Sequence, residues 1–182
     1  MSRNYKFYNP KGLYFVSFAT VNWIDVFTRD IYRDIVVNSL NYCIKEKGLV
    51  VYAWVIMTNH VHLVIRSKNL PLEGIMRDMK SFTSREIVKT IKENPQESRK
   101  EWMLWMFNRA GQRNINNNNA QFWQQHNQPI ELRQELYDID NCMNYIHDNP
   151  VKSGFVSKPE DYKYSSAIDY AGGKGFVNID ML

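Results

Sequence analysis

Cysteine is scarce in this chain, which has only two among its 182 residues. Cys43 and Cys142 lie far apart, and neither has partner cysteines at the spacing of metal ligands. The sequence therefore excludes a disulfide framework and a zinc ribbon. We interpret both residues as ordinary buried thiols.

Long apolar runs are also missing. No stretch approaches the roughly 20 consecutive apolar residues that a membrane-spanning helix requires. Residues 1–6 lack the apolar core of a signal peptide, and no internal repeat is visible. We therefore expect a soluble, cytoplasmic protein with no membrane partner.

The composition that is present suits one folded domain. Hydrophobic residues make up 44% of the chain and aromatic residues 14%, enough for a compact core, so we predict a single domain over residues 1–182. The net charge is +4 and the sequence pI about 9.0. This mild basic excess permits a polyanionic partner without requiring one.

Basic and aromatic residues alternate in the stretch 99–113. Aromatic rings stack on unpaired bases while cations follow the phosphates, so this alternation suits single-stranded nucleic acid. The alternative is that Trp102, Trp105 and Met106, three and four residues apart, form the core face of a helix. The residues that we predict to contact nucleic acid are Arg99, Lys100, Arg109, Arg113 and, further along, Trp123.

The first part of the chain predicts half of a ferredoxin-like fold. An aromatic and β-branched run predicts a strand over 12–22, and apolar residues at helical spacing predict a helix over 28–47, ended by Gly48. Two more strands, 49–56 and 60–66, follow with a tight turn between them. We therefore predict an α+β, ferredoxin-like βαββαβ sandwich with an antiparallel sheet and helices on one face.

The second part of the chain predicts the remaining elements. Apolar residues at helical spacing predict a second helix from Leu72 to about Asn94, entered after a proline. An asparagine-rich tract predicts an inserted flexible loop over 108–121, and residues 120–125 are our candidate for the fourth strand. The glycine-rich tail, 171–182, predicts a loop-like segment.

A last helix is predicted from Asp138 or Asp140 to about His147. We expect Asn149 and Pro150 to end it, because the residue before a proline avoids the α-helical region.

Two of the four histidines stand in one three-residue step, His60-Val61-His62, at the start of a predicted strand. Successive side chains of a strand point to opposite faces, so the two imidazoles share a face and can bind one metal ion. The alternative is a pair of partly exposed strand histidines, because such a step is common by chance. A pair of ligands needs a third group before it makes a site.

The last predicted helix offers that third group. Tyr145 and Asn149 lie four residues apart and therefore share a helix face, whereas His147 points away. An amide oxygen beside two imidazoles suits a hard divalent cation, with positions left open for substrate. Alternatively, Tyr145 fills an apolar gap and Asn149 is a helix-end residue. We expect His126 and His147 to be solvated or hydrogen-bonded, although His126, beside the polar loop, could approach nucleic acid.

Taken together, two segments resemble a known family of DNA-processing proteins. Residues 53–64, which contain the histidine step, and residues 145–156, which contain the tyrosine, resemble the IS200-like single-tyrosine transposases of the His-hydrophobic-His superfamily. The closer resemblance is to the REP-associated tyrosine transposases, because residues 122–125 and 161–166 are also similar to segments of that branch. Thr58 departs from the proline often found there, and Lys152-Ser153 stands in place of an Arg-Ala pair.

The resemblance implies a role for each site residue. His60 and His62 would bind a divalent metal ion, Mg²⁺ or Mn²⁺, with Asn149 in the position of the third ligand. Tyr145 would be the nucleophile. The implied fold is the ferredoxin-like one that the strand and helix pattern also predicts.

The implied activity is cleavage and rejoining of single-stranded or hairpin DNA. Tyr145 would attack a backbone phosphorus, leaving a 5′-phosphotyrosine and a 3′-hydroxyl, and the reverse reaction would rejoin the strand, so no nucleotide cofactor is needed. We expect a monomer or homodimer associated with the nucleoid. Two alternatives stay open: a non-catalytic binder of structured single strands on the same fold, and a phosphodiesterase in which metal-bound water attacks.

Overall fold

The computed structural model describes residues 7–114, 120–125, 129–133 and 139–182. In these ranges the chain forms a mixed α and β domain. Its strands are β1 (Tyr14–Ala19), β2 (Leu49–Ile56), β3 (His60–Ser67) and β4 (Ile130–Glu131), and its helices are α1 (Asp30–Lys47), α2 (Leu72–Glu93), α3 (Lys100–Gln112), α4 (Ile139–Lys152) and α5 (Ala167–Tyr170).

The four strands form one open sheet in the order β2-β3-β1-β4. Every neighbouring pair in this order is antiparallel. This is the strand order of the ferredoxin-like plan, in which the first and third strands lie in the middle and are flanked by the second and fourth. The fold class that the sequence predicts is therefore confirmed.

Helices α1 and α2 cover one face of the sheet. On this face β3 presents Val61, Leu63 and Ile65, which are completely buried. Phe18 of β1 stands opposite Val61 in the strand register, and Lys80 of α2 lies 5.6 Å from the centre of the Phe18 ring. Helix α1 packs against both α2 and β2, so this face carries the two crossover helices.

Helix α4 lies on the opposite face of the sheet, so the expectation that the helices lie on one face is wrong for α4. That face of β3 carries His60, His62 and Val64, because side chains alternate along a strand. The ring of Tyr145 in α4 lies 5.3 Å from the ring of His62, measured between centroids. The sheet therefore has a closed face against α1 and α2 and a second face on which α4 meets the histidines.

The two crossover helices form close to where the sequence predicts them. Helix α1 ends at Lys47, and Gly48 follows with a left-handed φ of 68°, a conformation that glycine adopts without steric cost. Helix α2 begins at Leu72, directly after Pro71. Among the helices that the structure describes, none has both the length and the apolar character needed to cross a membrane.

The fourth strand lies later in the chain than predicted. We expected it over 120–125, but β4 is only Ile130–Glu131, paired with the start of β1. Trp123 makes an isolated bridge with Thr20 just past the other end of β1. Both segments therefore follow the same sheet edge. The pairing is too short and irregular to leave an alternating pattern in the sequence.

The predicted loop over 108–121 begins too early. Helix α3 continues to Gln112, because Met103, Phe107 and Gly111 form a buried face at helical spacing. The alternative core face of Trp102, Trp105 and Met106 is wrong as well, since both tryptophans are exposed. Residues 115–119 of the asparagine tract lie outside the described part of the chain.

Helix α4 also runs further than predicted, passing through Pro150 to Lys152. Pro150 cannot donate one helical hydrogen bond, and its ring crowds the carbonyl four residues earlier, but near the end of the helix these costs are confined to one turn. Burial of Met143, Ile146 and Pro150 holds the last turn in place. The chain then leaves the helix at Gly154, which has a φ of 75°.

Candidate active site

The two histidines of the predicted step lie side by side at the start of β3. Their ring centroids are 4.7 Å apart, with the ring planes inclined at 71°. In the register with β1, His60 stands opposite Ala19 and His62 opposite Ser17, two small residues that leave room above the sheet. The strand register therefore brings both imidazoles to one place, as their spacing predicts.

His62 is buried with both ring nitrogens unsatisfied. His62 is only 6% exposed, and neither Nδ1 nor Nε2 has a hydrogen-bond partner among the described residues. Burial, with a smaller contribution from His60, lowers the pKa of His62 to about 3. The ring is therefore neutral at physiological pH, the form in which imidazole donates a lone pair to a metal ion.

His60 is oriented by its neighbour Asn59. His60 Nδ1 lies 2.7 Å from Asn59 Oδ1, while Asn59 Nδ2 donates to Asp25 Oδ1 at 2.9 Å and to the Trp23 carbonyl at 3.3 Å. Since the Asn59 amino group faces these two acceptors, its oxygen faces His60, and His60 Nδ1 must be the donor. The tautomer is thus fixed with the lone pair on Nε2, the arrangement found around histidine metal ligands.

The hydrogen bonds that run from His60 through Asn59 to Asp25 form a relay. This relay also affects the charge of His60. Burial lowers the pKa of His60, and the carboxylate of Asp25 partly opposes this. Neither Asn59 nor Asp25 is among the site residues predicted from the sequence. The position of Asn59 next to His60 was visible, but Asp25 reaches the relay only through tertiary folding.

Tyr145 lies against the histidine pair from helix α4. Its side chain is 45% exposed, and its ring packs edge-on against His62, at 5.3 Å between centroids, and against Phe15, at 6.2 Å. Phe15 also stacks on His62 at 5.4 Å. The tyrosine is thus held beside the imidazoles by ring contacts, and it stays accessible to a substrate.

Asn149 follows Tyr145 by about one turn of the same helix and is half-buried. The two residues share a face of α4. No group of three or more His, Cys, Asp or Glu side chains within the described ranges lies close enough to hold a metal ion. A metal at the histidine pair therefore needs an amide, substrate or water oxygen to complete its ligands, and Asn149 is the amide that the sequence predicts.

Comparison with known proteins identifies the family. The family model described as "Transposase IS200 like" matches residues 13–109, just over half of the chain. The chain belongs to the IS200-like transposase family. The resemblance predicted from the sequence is therefore confirmed. The matched residues include the histidine pair but end before Tyr145.

One solved structure shares the fold of this chain, and a second is less similar. A REP-associated tyrosine transposase bound to a REP hairpin superposes with a TM-score of 0.64, at 17% identity, over 99% of this chain and 92% of that one. A Deinococcus radiodurans R1 protein assigned as a transposase has a TM-score of 0.46, at 15% identity, over 81% of this chain and 97% of that one. The curated proteins gave no match.

His147 stands apart from the candidate site. It is buried on the other side of α4, and its Nε2 lies 2.8 Å from Ser166 Oγ. Ser166 in turn accepts a hydrogen bond from the Trp54 backbone N–H at the edge of β2. This histidine is hydrogen-bonded, as predicted, and it anchors the tyrosine helix to the sheet.

Two of the predicted nucleic-acid contacts are bonded within the fold. Arg99 is bound to the buried Glu97 carboxylate, at 3.1 Å, and donates to the Asp25 carbonyl and Thr28 Oγ1. Trp123 is 6% exposed, and its indole N–H donates to Thr83 Oγ1 at 3.0 Å. These interactions give both side chains a structural role, and DNA contact at either of them stays a prediction.

The other predicted contacts lie on α3. Lys100 is half-buried at the start of the helix, whereas Arg109 and Arg113 are exposed near its end and line an open groove of about 840 Å³. The Arg109 guanidinium lies 4.9 Å from the centre of the Trp105 ring. His126 lies outside the residues that the structure describes.

Proposed function

We propose that this transposase is a metal-dependent endonuclease and strand transferase that cleaves and rejoins single-stranded DNA through Tyr145. The observation that carries the proposal is the contact between this exposed phenol and His62, a neutral imidazole whose two buried nitrogens have no partner in the described chain. A nucleophile and a pair of metal ligands are thus adjacent.

The proposed reaction is a transesterification at phosphorus. The Tyr145 oxygen forms a bond to the phosphorus and loses its proton, and the bond to the 3′ oxygen breaks, leaving a 3′-hydroxyl once that oxygen takes up a proton. The product is a 5′-phosphotyrosine. Because one phosphodiester replaces another, the reverse attack by a 3′-hydroxyl rejoins the strand and needs no nucleotide cofactor.

We propose that His60, His62 and Asn149 hold a divalent cation, Mg²⁺ or Mn²⁺. The donor set fits, because the burial of His62 keeps its ring neutral and Asn59 fixes the tautomer of His60. When bound, the ion would neutralise charge on the phosphate oxygens and orient the scissile group. His62 and Phe15 keep the phenol in place beside that position.

The DNA partner that we propose is a hairpin with adjoining single-stranded nucleotides. The exposed Arg109 and Arg113, and the half-buried Lys100, supply positive charge along α3. A protein of the same fold binds a REP hairpin, and the net charge of +4 is compatible with such a polyanion.

The proposal is tested by trapping the covalent intermediate. The protein is incubated with a labelled DNA hairpin carrying single-stranded flanks, in the presence of Mn²⁺ or Mg²⁺, and then denatured and separated by electrophoresis. We expect a labelled protein–DNA adduct with the wild type and none with Tyr145→Phe. Tyr42→Phe is the matched control, because Tyr42 is also an exposed tyrosine but lies on α1.

Each other outcome favours a different function. An adduct that persists in Tyr145→Phe would show that another residue is the nucleophile. Cleavage without any adduct would favour attack by metal-bound water. Binding without cleavage would favour a non-catalytic DNA-binding protein.

A further inference from the structure

Trp23 is held in a strained and exposed position beside the histidine pair. It ends a short 3₁₀ turn, Val21–Trp23, and its side chain is 57% exposed. Asn22 and Trp23 both have a φ of 54°, in the left-handed region that a bulky residue rarely adopts. Such strain persists only where the surrounding structure imposes it, and it is concentrated at functional sites.

Hydrogen bonds on every side of the turn impose this conformation. The Trp23 N–H donates to the Thr20 carbonyl at 3.1 Å, and the Val21 N–H donates to the Phe122 carbonyl at 2.8 Å. Thr20 Oγ1 donates to the Ile24 carbonyl at 2.8 Å. The turn therefore presents a large and mostly exposed aromatic ring to solvent at a fixed place.

That place is one end of a row of four rings across the active site. The centroid of the Trp23 ring is 5.9 Å from that of His60, His60 is 4.7 Å from His62, and His62 is 5.3 Å from Tyr145. The nucleophile stands at one end of the row and Trp23 at the other. A strand whose phosphate lies at the histidines can therefore extend over Trp23.

Beyond Trp23 the surface continues into the groove of about 840 Å³. Its lining includes Trp23 from the turn and Trp105, Arg109 and Arg113 from α3. Trp105 is 52% exposed. The groove therefore combines two accessible aromatic rings with two guanidinium groups and opens at the ring row of the active site.

We propose that this groove binds the unpaired nucleotides next to the scissile phosphate, with Trp23 stacked on the nearest base. The inference rests on the proposed function, because it takes the substrate to be DNA cleaved at the histidine pair. Alternation of exposed rings and cations suits single strands, whose bases stack on aromatic faces while their phosphates meet the cations. A paired stem keeps its bases stacked inside the duplex and cannot use the rings in this way.

The test compares two DNA probes in the Tyr145→Phe background, where the proposed covalent step through Tyr145 cannot occur. One probe is a bare hairpin, and the other is the same hairpin with a single-stranded extension of about six nucleotides. Affinity is measured by fluorescence anisotropy. We expect Trp23→Ala to weaken binding of the extended probe about tenfold, the effect of losing one stacked base, and to leave binding of the bare hairpin unchanged.

Trp102→Ala is the matched control. Trp102 is 50% exposed and lies on the same helix as Trp105, but it does not line the groove. We expect Trp105→Ala to weaken binding of the extended probe and Trp102→Ala to leave it unchanged. Trp23→Phe should restore part of the affinity, and thermal melting should confirm that each variant is folded.

A spectroscopic measurement separates stacking from indirect effects. A 2-aminopurine placed in the extension should lose fluorescence on binding to the Tyr145→Phe protein, and Trp23→Ala should abolish this quenching. Equal losses of affinity in Trp23→Ala and Trp102→Ala would overturn the proposal. So would equal losses on the two probes, or no preference for the extended probe.

The outcomes for the groove and for the proposed function are distinguishable. Trp23-dependent binding of the extended probe, with no adduct formed by the wild type, would support the groove and reject the transesterification. Adduct formation by the wild type with affinity independent of Trp23 would support the transesterification and reject the groove.

Discussion

Glu97 and His62 are both buried polar side chains, on opposite sides of the sheet, and the fold treats them differently. Glu97 is 3% exposed, and its carboxylate accepts hydrogen bonds from Arg29, Arg99 and Tyr32. His62 is similarly buried, yet neither ring nitrogen has a partner among the described residues. The Glu97 carboxylate, on the α1 side, has hydrogen-bond partners, whereas the His62 ring, on the α4 side, has none among the described residues.

The pKa shifts show the consequence. Burial alone would raise the pKa of Glu97, but the hydrogen bonds and charge of Arg99 outweigh it and hold the pKa below its ordinary value of 4.5. Burial lowers the pKa of His62 with no partner to oppose it. Glu97 is thus charged and contributes to stability, whereas His62 is neutral and retains its capacity to bind a ligand.

The difference gives a physical reason to expect a function at His62. A buried group without a partner costs about 1–3 kcal/mol of stability, and each such group in a native protein needs an explanation. A metal ion would supply a partner for one of the two His62 ring nitrogens. Glu97 therefore contributes to the stability of the fold, and the unpartnered His62 is consistent with the ligand role that we propose for it.

The largest expected effect comes from removing His60, one of the proposed metal ligands. His60→Ala should reduce DNA cleavage on the order of a thousandfold, because several kcal/mol of charge stabilisation are lost with the metal. Hairpin affinity should stay nearly the same. Cleavage of labelled DNA and fluorescence anisotropy measure the two quantities.

Arg66→Ala is the control for His60→Ala, since Arg66 is an exposed residue of the same strand. It should leave cleavage unchanged. If His60→Ala reduced cleavage and affinity equally, the histidines would be structural or bind DNA directly, and the contrast with Glu97 would fail.

The next effect concerns Glu97 and its hydrogen-bond partners. Arg99→Ala should lower the free energy of unfolding by about 2 kcal/mol, because it removes one of two arginines paired with a buried carboxylate. Urea denaturation measures this loss. Hairpin affinity should not change, because Arg99 is committed to Glu97, Asp25 and Thr28.

Arg109→Ala is the matched control on the same helix. It should change stability by less than about 0.5 kcal/mol and weaken DNA binding instead.

The cost of Arg99→Ala should also depend on pH. A lowered folded-state pKa means that the Glu97 contribution is present above about pH 4.5 and lost as the pH falls below it. Equal costs at pH 7 and pH 3 would contradict this account.

The smallest expected effect concerns the orientation and tautomer of His60. Asn59→Ala removes the acceptor that fixes the His60 tautomer, and changes around metal ligands of this kind cost about tenfold or more in metal affinity. Titration calorimetry with Mn²⁺ measures the change. Asn41→Ala is the control, because the Asn41 side chain is also bonded at both ends but lies on α1; a similar loss there would remove the role of Asn59.

The elements with strong sequence patterns were predicted well. The hairpin of β2 and β3 follows from dense β-branched runs. Helical spacing predicts helix α1, with Gly48 after its end, and helix α2. The fourth strand was placed wrongly because it has only two residues. Helix α4 was predicted too short, because burial of its last turn outweighs the local preference before Pro150.

The site was predicted in part. The shared face of His60 and His62 follows from strand periodicity alone, and the proximity of Tyr145 agrees with the resemblance to the family. The relay through Asn59 to Asp25 and the ring of Trp23 were not predicted. Each depends on a turn that only the folded chain brings to the histidines.

The sequence by itself determined which residues can form the site, because strand and helix periods fix the face on which a side chain lies. Only the tertiary structure decided what each side chain does. Arg99 directly precedes α3 and Arg109 lies in its last turn, and the two look alike in the sequence, yet Arg99 pairs with Glu97 and Arg109 lines the groove. The reason is physical: the role of a charge depends on its partners and burial, and these are set by distant parts of the chain.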